Sequence, residues 1–212
     1  MKKRILITGG TGRFGTVLKK IKINYEMFFP NKKNLDITKF RSIQKYIKFK
    51  KPNFVIHLAG LSRPMNIHDR QIQKSIDLNI IGTCNITKAC AEKNIKLIYF
   101  STSYVYPGTK GNYFESDSLY PVNNYAWSKL GGECAVQLYK NSLILRLCMT
   151  EKPFVHKAAF YDVKNSFMYH DKVAKIENPK IKKIFLKKNK KIKMPINSSI
   201  NTEKMKKILK KK

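Results

Sequence analysis

Tyr125 and Lys129 stand four residues apart in the stretch NNYAWSKLGGE, which runs from Asn123 to Glu133. On a helix that spacing sets both side chains on one face, one above the other. A phenol has an ordinary pKa near 10. An ammonium beside it favours the phenolate, so the phenol can exchange a proton at neutral pH. The chain has 44 Lys and Arg and 11 Tyr, so the spacing also arises by chance and takes its meaning from what accompanies it. Ser101, Thr102 and Ser103 close or follow the apolar run KLIYFST roughly twenty residues earlier. A hydroxyl, a Tyr and a Lys together are the parts needed to hold a carbonyl oxygen and pass it a proton.

These residues need elements to position them. RILIT (Arg4–Thr8) is a short apolar run ending in glycines and reads as a buried strand, with FGTVLKKI a short helix behind it. INYEMFF (Ile23–Phe29) reads as a second strand and LDI (Leu35–Ile37) as a brief third. Thr38 is expected to cap a helix over KFRSIQKYIKFKK. NFVIHLAG (Asn53–Gly60) and KLIYFST (Lys96–Thr102) are β-branched apolar runs, hence strands. Ile72, Ile76, Ile80 and Ile86 fall at helical spacing and predict one helix from Asp69 to about Lys93. Asn123 to Lys140 reads as a helix and SLILRLCM (Ser142–Met149) as a strand.

Strands alternating with helices imply parallel strands joined by right-handed crossovers, an α/β doubly wound sheet of the Rossmann kind. Residues 1–149 form the expected dinucleotide-binding domain, and residues 150–212 a small, shortened substrate-binding part with a Lys-rich tail. In that second part SFMYHDKVAKIE fits a strand and a helix, and INTEKMKKILKKK a terminal helix capped near Thr202. NPKIKKIFLKKNKKIKMP between them is Lys-rich and of low complexity.

LITGGTGRFGTVL places Gly9, Gly12 and Gly15 three residues apart, directly after the first strand and opening a helix. This is the context in which glycines make a tight turn, let backbone N–H groups approach a pyrophosphate and let helix and strand pack closely. No Lys-Ser/Thr follows the last glycine, which argues against a Walker-type site. The acid that reads a ribose 2′-hydroxyl normally ends the second strand. Here Glu26 lies inside that strand and its tip reads FFPNKKN, while Arg13, Lys32 and Lys33 are cations suited to a 2′-phosphate. The cofactor expected is NADP or NAD, with the cations favouring NADP, and Asp36 is expected near the adenine.

Composition narrows the remaining classes. The length of 212 residues fits one domain, or one with an appendage, and a 42% hydrophobic fraction supplies a core. No apolar stretch reaches the length of a membrane span, and that of MKKRILITGG is too short for a signal peptide. The protein is therefore expected to be soluble and cytoplasmic. Cys84, Cys90, Cys134 and Cys148 lack metal-like pairing, so no metal is expected and they read as reduced core thiols. The net charge of +31 raises binding to nucleic acid or anionic membranes. The charge is spread along the chain, Lys outnumbers Arg, and Asn and Ile are abundant, a pattern that AT-rich coding produces without a nucleic-acid surface.

The combination TGGTGRFG, HLAG, STSYVY and YAWSK, in this order, resembles the extended short-chain dehydrogenase/reductase superfamily. NLDIT, STSYVYPG and NSFMYHDKVAK resemble most the dTDP-4-dehydrorhamnose reductases and related nucleotide-sugar enzymes of the NAD-dependent epimerase/dehydratase type. The resemblance implies hydride transfer from NAD(P)H to a 4-keto nucleotide sugar, with a nucleotide-sugar epimerase and a non-catalytic dinucleotide-binding protein as alternatives. Carried over by position, it makes Tyr125 the acid, Lys129 the group holding the nicotinamide ribose and tuning Tyr125, and Thr102 the third member. It sets the cofactor against Gly9, Thr11, Gly12, Arg13, Phe14 and Gly15, against Asp36 and Ile37, and against Leu58, Ala59 and Gly60 in HLAG, where His57 also falls. Asn79 in IDLNIIGT takes the place of a structural or catalytic Asn and joins the cofactor set, as do Tyr125 and Lys129. The partners implied are a nucleotide-sugar substrate and, among proteins, a second copy of the chain. No acid pair follows Thr102, which disfavours the elimination run by the 4,6-dehydratases. CMTEKPFVHK after LILRL replaces the usual turn near the nicotinamide. His156 and His170 lie in the presumed substrate region, but both read first as ordinary histidines. Glu115 reads as a solvated loop acid and Trp127 as packed on its helix.

Overall fold

The computed structural model describes residues 2–20, 24–151, 153, 158–160, 162–170, 182–184, 195 and 197–201. His156, the helix expected after Phe167–Tyr169 and the terminal helix near Thr202 lie outside the described residues, as does most of the Lys-rich stretch between them. The chain forms two compact units, Met1–Ser101 with Asn124–Arg146, and Thr102–Asn123 with Leu147–Lys212.

The first unit is built on β1 (Arg4–Thr8), β2 (Glu26–Phe28), β3 (Phe54–His57), β4 (Lys96–Thr102) and β5 (Ser142–Thr150), in the order β2-β1-β3-β4-β5. β1 pairs in parallel with β2 and β3, and β3 in parallel with β4. Between the strands run α1 (Arg13–Leu18), α2 (Phe40–Lys50), α3 (Ile67–Arg70), α4 (Ile72–Ser75), a π-helical turn at Ile76–Ile81, α5 (Gly82–Glu92) and α6 (Asn124–Gln137). This is the doubly wound parallel sheet that the alternation implied. Leu6, Val55, Leu97 and Tyr99 from the strands meet Ile43 and Ile47 of α2, Ile86, Ala89 and Cys90 of α5, and Val136 of α6 in one core cluster. Buried area of this kind is the main favourable contribution to folding.

Several expectations change. LDI is not a strand. Leu35 and Ile37 are buried as an alternating strand would bury them, but Asp36 Oδ1 accepts hydrogen bonds from the N–H and hydroxyl of Thr38, closing a turn. Thr38 therefore does not cap α2, which starts at Phe40 with Lys39 at the cap position. The helix expected from Asp69 to Lys93 is broken at Gln71 and continues through the π-turn. Ile72 and Ile76 are exposed as a result, while Ile86 is buried. Among the cysteines only Cys90 is buried, and Cys134 is exposed. Trp127 is about half exposed (48%).

In the second unit, a 3₁₀ turn at Ser103–Val105 follows β4, and the end of β5 pairs in parallel with β7 (Phe167–Tyr169). β6 (Ala158–Phe160) pairs with β8 (Lys182–Ile184). Residues 197–201 thread between two loops. Tyr113 N–H donates to Ser199 O at 2.9 Å, and Asn201 N–H donates to Tyr113 O at 2.8 Å. Asn197 N–H donates to Gly108 O at 2.7 Å, and Ser198 N–H to Lys164 O at 3.1 Å. Tyr106 and Tyr113 stack at 4.7 Å beneath them.

Candidate active site

The glycine turn takes the form its spacing predicted. Gly9 sits at φ +70°, and a Cβ there would fall 2.6 Å from the Ala59 backbone N, so β3's following loop closes over it. Gly15 is in contact with the Gly10 backbone, where a Cβ would approach to 2.6 Å, which lets α1 pack against the turn. Gly12 N–H donates to Gly9 O at 2.9 Å, and Thr11, Gly12 and Arg13 are exposed at the tip. Phe14 packs on Phe100 of β4 with centroids 5.4 Å apart. Arg13 reaches across to donate to Ser62 Oγ at 3.2 Å.

Beyond β2 the chain reads Phe29-Pro30-Asn31, with no acid at the tip. Glu26 is held at the start of β2 by Arg4, Nε to Oε2 at 3.0 Å. Asp36 is partly buried. Burial pushes its carboxyl up, but the Thr38 hydrogen bonds and the Lys32 and Lys39 charges outweigh this and leave it below the usual range. Ile37 is a core residue packed on Gly82. Leu58 and Ala59 are half-buried and Gly60 is exposed after β3.

His57 lies below this turn and is 1% exposed. Its Nδ1 pairs with Thr8 Oγ1 at 2.7 Å, its Nε2 with Thr83 Oγ1 at 3.1 Å, and its ring stacks on Tyr99. Burial first, then the Lys129 charge, push its pKa down to about 3, so it is a neutral core histidine. Asn79, in the π-turn, is fully engaged. Its Oδ1 accepts from Leu61 N–H at 2.7 Å, and its Nδ2 donates to Leu61 O and to Ser128 Oγ, both at 2.8 Å. Ser128 in turn donates to Tyr125 O at 2.7 Å. The Asn79 side chain thus ties the loop after β3 to the first turns of α6, and π-turns of this sort often mark functional positions.

Tyr125 and Lys129 both lie on α6, one turn apart, as expected. Tyr125 is half-buried and its ring tilts against His68 of α3, centroids 5.2 Å apart. Asn124 beside it donates to Asp69 Oδ1 at 2.8 Å, so α3 grips the start of α6 twice. His68 is buried, its Nδ1 pairs with Ser75 Oγ at 2.7 Å, and its Nε2 has no hydrogen-bond partner among the described residues. Burial lowers its pKa, partly offset by Asp69.

Lys129 is 8% exposed. Its Nζ lies 4.2 Å from the centroid of the Tyr99 ring, a cation–π contact, and the Tyr99 hydroxyl donates to Lys129 O at 3.1 Å. Burial lowers its pKa to about 7, with Glu133 pulling it back up. Glu133 is itself 3% exposed and paired with Arg146 of β5 at 2.6 Å. Thr102 closes β4 in the second unit, where it is buried and its Oγ1 accepts from Tyr104 N–H at 3.3 Å. Ser103 is also buried, within 3.4 Å of Ser198 Oγ, and His170 is half-buried with its N–H donating to Thr150 O.

Tyr99, Glu133, Arg146 and His68 escape the sequence reading. The signals were faint: Glu133 sits one turn after Lys129, and Arg146 interrupts an apolar strand. Among the described residues no group of His, Cys, Asp and Glu could hold a metal ion, and no helix is long and apolar enough to cross a membrane.

Comparison with known proteins places this geometry. The chain is 34% identical over 155 residues to methionine adenosyltransferase 2 subunit beta of Xenopus laevis, covering 68% of this chain and 46% of that protein. It is 31% identical over 152 residues to a dTDP-4-dehydrorhamnose reductase of Aggregatibacter actinomycetemcomitans, covering 69% and 51%. The chain thus spans about half the length of the curated relatives it matches. Among solved structures, a dTDP-4-dehydrorhamnose reductase of Yersinia enterocolitica matches with TM-score 0.70 and 27% identity over 80% of this chain and 67% of that one. The reductase of Bacillus anthracis, solved with NADP, shares the fold with TM-score 0.84 at 20% identity over 98% and 93%. Residues 2–150 match the family model described as RmlD substrate binding domain, and the chain belongs to that family.

Proposed function

We propose that the protein binds NAD(P)H in the glycine turn and reduces the 4-keto group of a nucleotide sugar. The observation that carries this is Lys129, an almost buried lysine held on Tyr99 one helical turn beyond Tyr125. The residues of the turn fit a dinucleotide. Gly9 and Gly15 leave room only for backbone, and the tip at Thr11–Arg13 is open. When bound, the reduced nicotinamide supplies the hydride that reaches the carbonyl carbon. Tyr125 gives its phenolic proton to the carbonyl oxygen, and the Lys129 ammonium favours the phenolate left behind and holds the ribose. Thr102 holds the same oxygen by a hydrogen bond. Asn79 and Ser128 fix the helix turn that carries Tyr125. The absence of an acid at the β2 tip, with Arg13 exposed, supports NADPH over NADH. Gly9, Thr11, Gly12, Arg13, Phe14, Gly15, Ala59 and Gly60 form the proposed cofactor contacts.

A second reading, a dinucleotide-binding subunit without turnover, draws support from the 34% identity to a protein named as a subunit. One assay separates the two. Wild type is expected to oxidise NADPH in the presence of dTDP- or GDP-linked 4-keto sugars. Tyr125→Phe is expected to lose on the order of 10²-fold or more while NADPH binding persists. Equal inactivity of wild type and variant, with NADPH bound by both, would establish the second reading.

A further inference from the structure

Glu133 is a carboxylate in the interior, and an interior charge persists only when something holds it. Arg146 from β5 does so in an unusual way. Its Nε at 3.0 Å and its Nη2 at 2.6 Å both converge on Oε1. The other oxygen, Oε2, is buried with no hydrogen-bond partner. An ion pair built only to join α6 to β5 would use both oxygens in a fork, the stronger and more specific arrangement. Here one oxygen takes both contacts, and the other, which shares the carboxylate's charge, is left without a hydrogen bond. Lys129 lies four residues before Glu133 on the same helix, so the two side chains are neighbours on one face.

Among the described residues, Glu133 is the anion that acts on Lys129. Tyr99 from β4 lies under the ammonium and, kept protonated by burial, carries no charge. His57 from β3 is neutral for the same reason. Tyr125 shares α6. The aromatic face of Tyr99 attracts a cation but does not offset the loss of water around a lysine that is 8% exposed.

We propose that Glu133 is a positioning residue that keeps Lys129 charged, with Arg146 fixing one carboxylate oxygen so that the other stays free to act on the ammonium. Its consequence for turnover rests on the reductase reading above; its consequence for Lys129 does not. Tyr125 needs a cation beside it, and burial alone would strip Lys129 of its proton near neutral pH. Glu133 holds the proton on, and Arg146 holds Glu133 in place.

The test is a direct titration of the Lys129 ammonium by NMR on ¹⁵N-lysine-labelled protein, the signal assigned by its loss in Lys129→Met. Glu133→Gln keeps the shape and can still accept from Arg146, but it removes the charge. The Lys129 midpoint is expected to fall by about one pH unit or more, roughly a tenfold fall in the ratio of ammonium to amine. An unchanged midpoint in a folded Glu133→Gln protein overturns the proposal. If that variant does not fold, Glu133→Asp keeps the charge beside Arg146 but draws it back by one methylene. The Lys129 midpoint is then expected to fall by a smaller amount, and a midpoint that stays put again overturns the proposal. Turnover across pH forms a separate arm. The alkaline limb in Glu133→Gln is expected to move to lower pH with the Lys129 midpoint, whereas a merely structural loss lowers the rate equally at every pH. A shifted midpoint in a protein with no turnover at any pH refutes the reductase reading and leaves the Glu133 role standing.

Discussion

Lys129 and His57 are both basic groups held largely out of water, and both make stability depend on pH. His57 binds its proton at about 3 in the fold and near 6.5 in the unfolded chain. As pH falls below 6.5 the unfolded chain takes up the proton first, so this contribution is complete above 6.5 and is lost between 6.5 and 3 at about 1.4 kcal/mol per unit. Lys129 titrates at about 7 in the fold against 10.5 unfolded. The folded state sheds that proton first, so stability rises with pH from 7 towards 10.5. The urea midpoint is expected to climb from pH 4.5 to 6.5 and again above 7, and a flat profile would contradict the lowered proton affinity that burial gives both groups. The Tyr125–Lys129 pair was legible because its spacing is local. Glu133, Arg146 and Tyr99 were not, because the contacts that define their roles come from strands 13 and 30 residues away.

At the scale of elements, the glycine turn was legible because its residues are punctuated by conformation, not by partners. Gly15→Ala is expected to lose about 1–3 kcal/mol of stability and with it dinucleotide binding, because the clash is with the Gly10 backbone, which cannot give way as a side chain would. Calorimetry with NADPH measures both effects. The π-turn was not legible. One extra residue in a helical turn puts the apolar stripe before it out of phase with the stripe after it, so Ile72 and Ile76 face outward although their spacing matches Ile86. Asn79 occupies that turn, and Asn79→Ala would leave the Leu61 N–H and C=O and the Ser128 hydroxyl without their partner. Chemical denaturation is expected to show a loss of about 2–4 kcal/mol. The LDI segment misled for a different reason. Its alternating burial is genuine, but Asp36 closes a side-chain turn that competes with strand pairing.

For the whole molecule, the +31 charge is a sequence-level quantity that survives any arrangement of the chain. Positive groups of this number repel one another in a compact state. Screening relaxes that repulsion over a Debye length of roughly 10 Å at 0.1 M salt. The melting temperature is expected to rise between about 10 mM and 300 mM sodium chloride, and a fall would point to attractive pairs dominating instead. Ion pairs such as Arg4–Glu26, Lys110–Asp117 and Glu133–Arg146 offset part of that repulsion locally. Doubly wound topology was legible from alternation alone, while the return of residues 197–201 to the loop around Tyr113 was not, since nothing in INSSIN announces a partner. That return closes a loop in which Asn112 and Ser199 are 87 residues apart. Closing so long a loop costs chain entropy before any bond forms, and contacts of high sequence separation form late. The second unit thus cannot complete itself during synthesis until residues 197–201 have emerged, since Tyr113 pairs with Ile200, almost ninety residues after it. Until then the 108–114 loop offers its backbone donors and acceptors to whatever extended segment reaches it first.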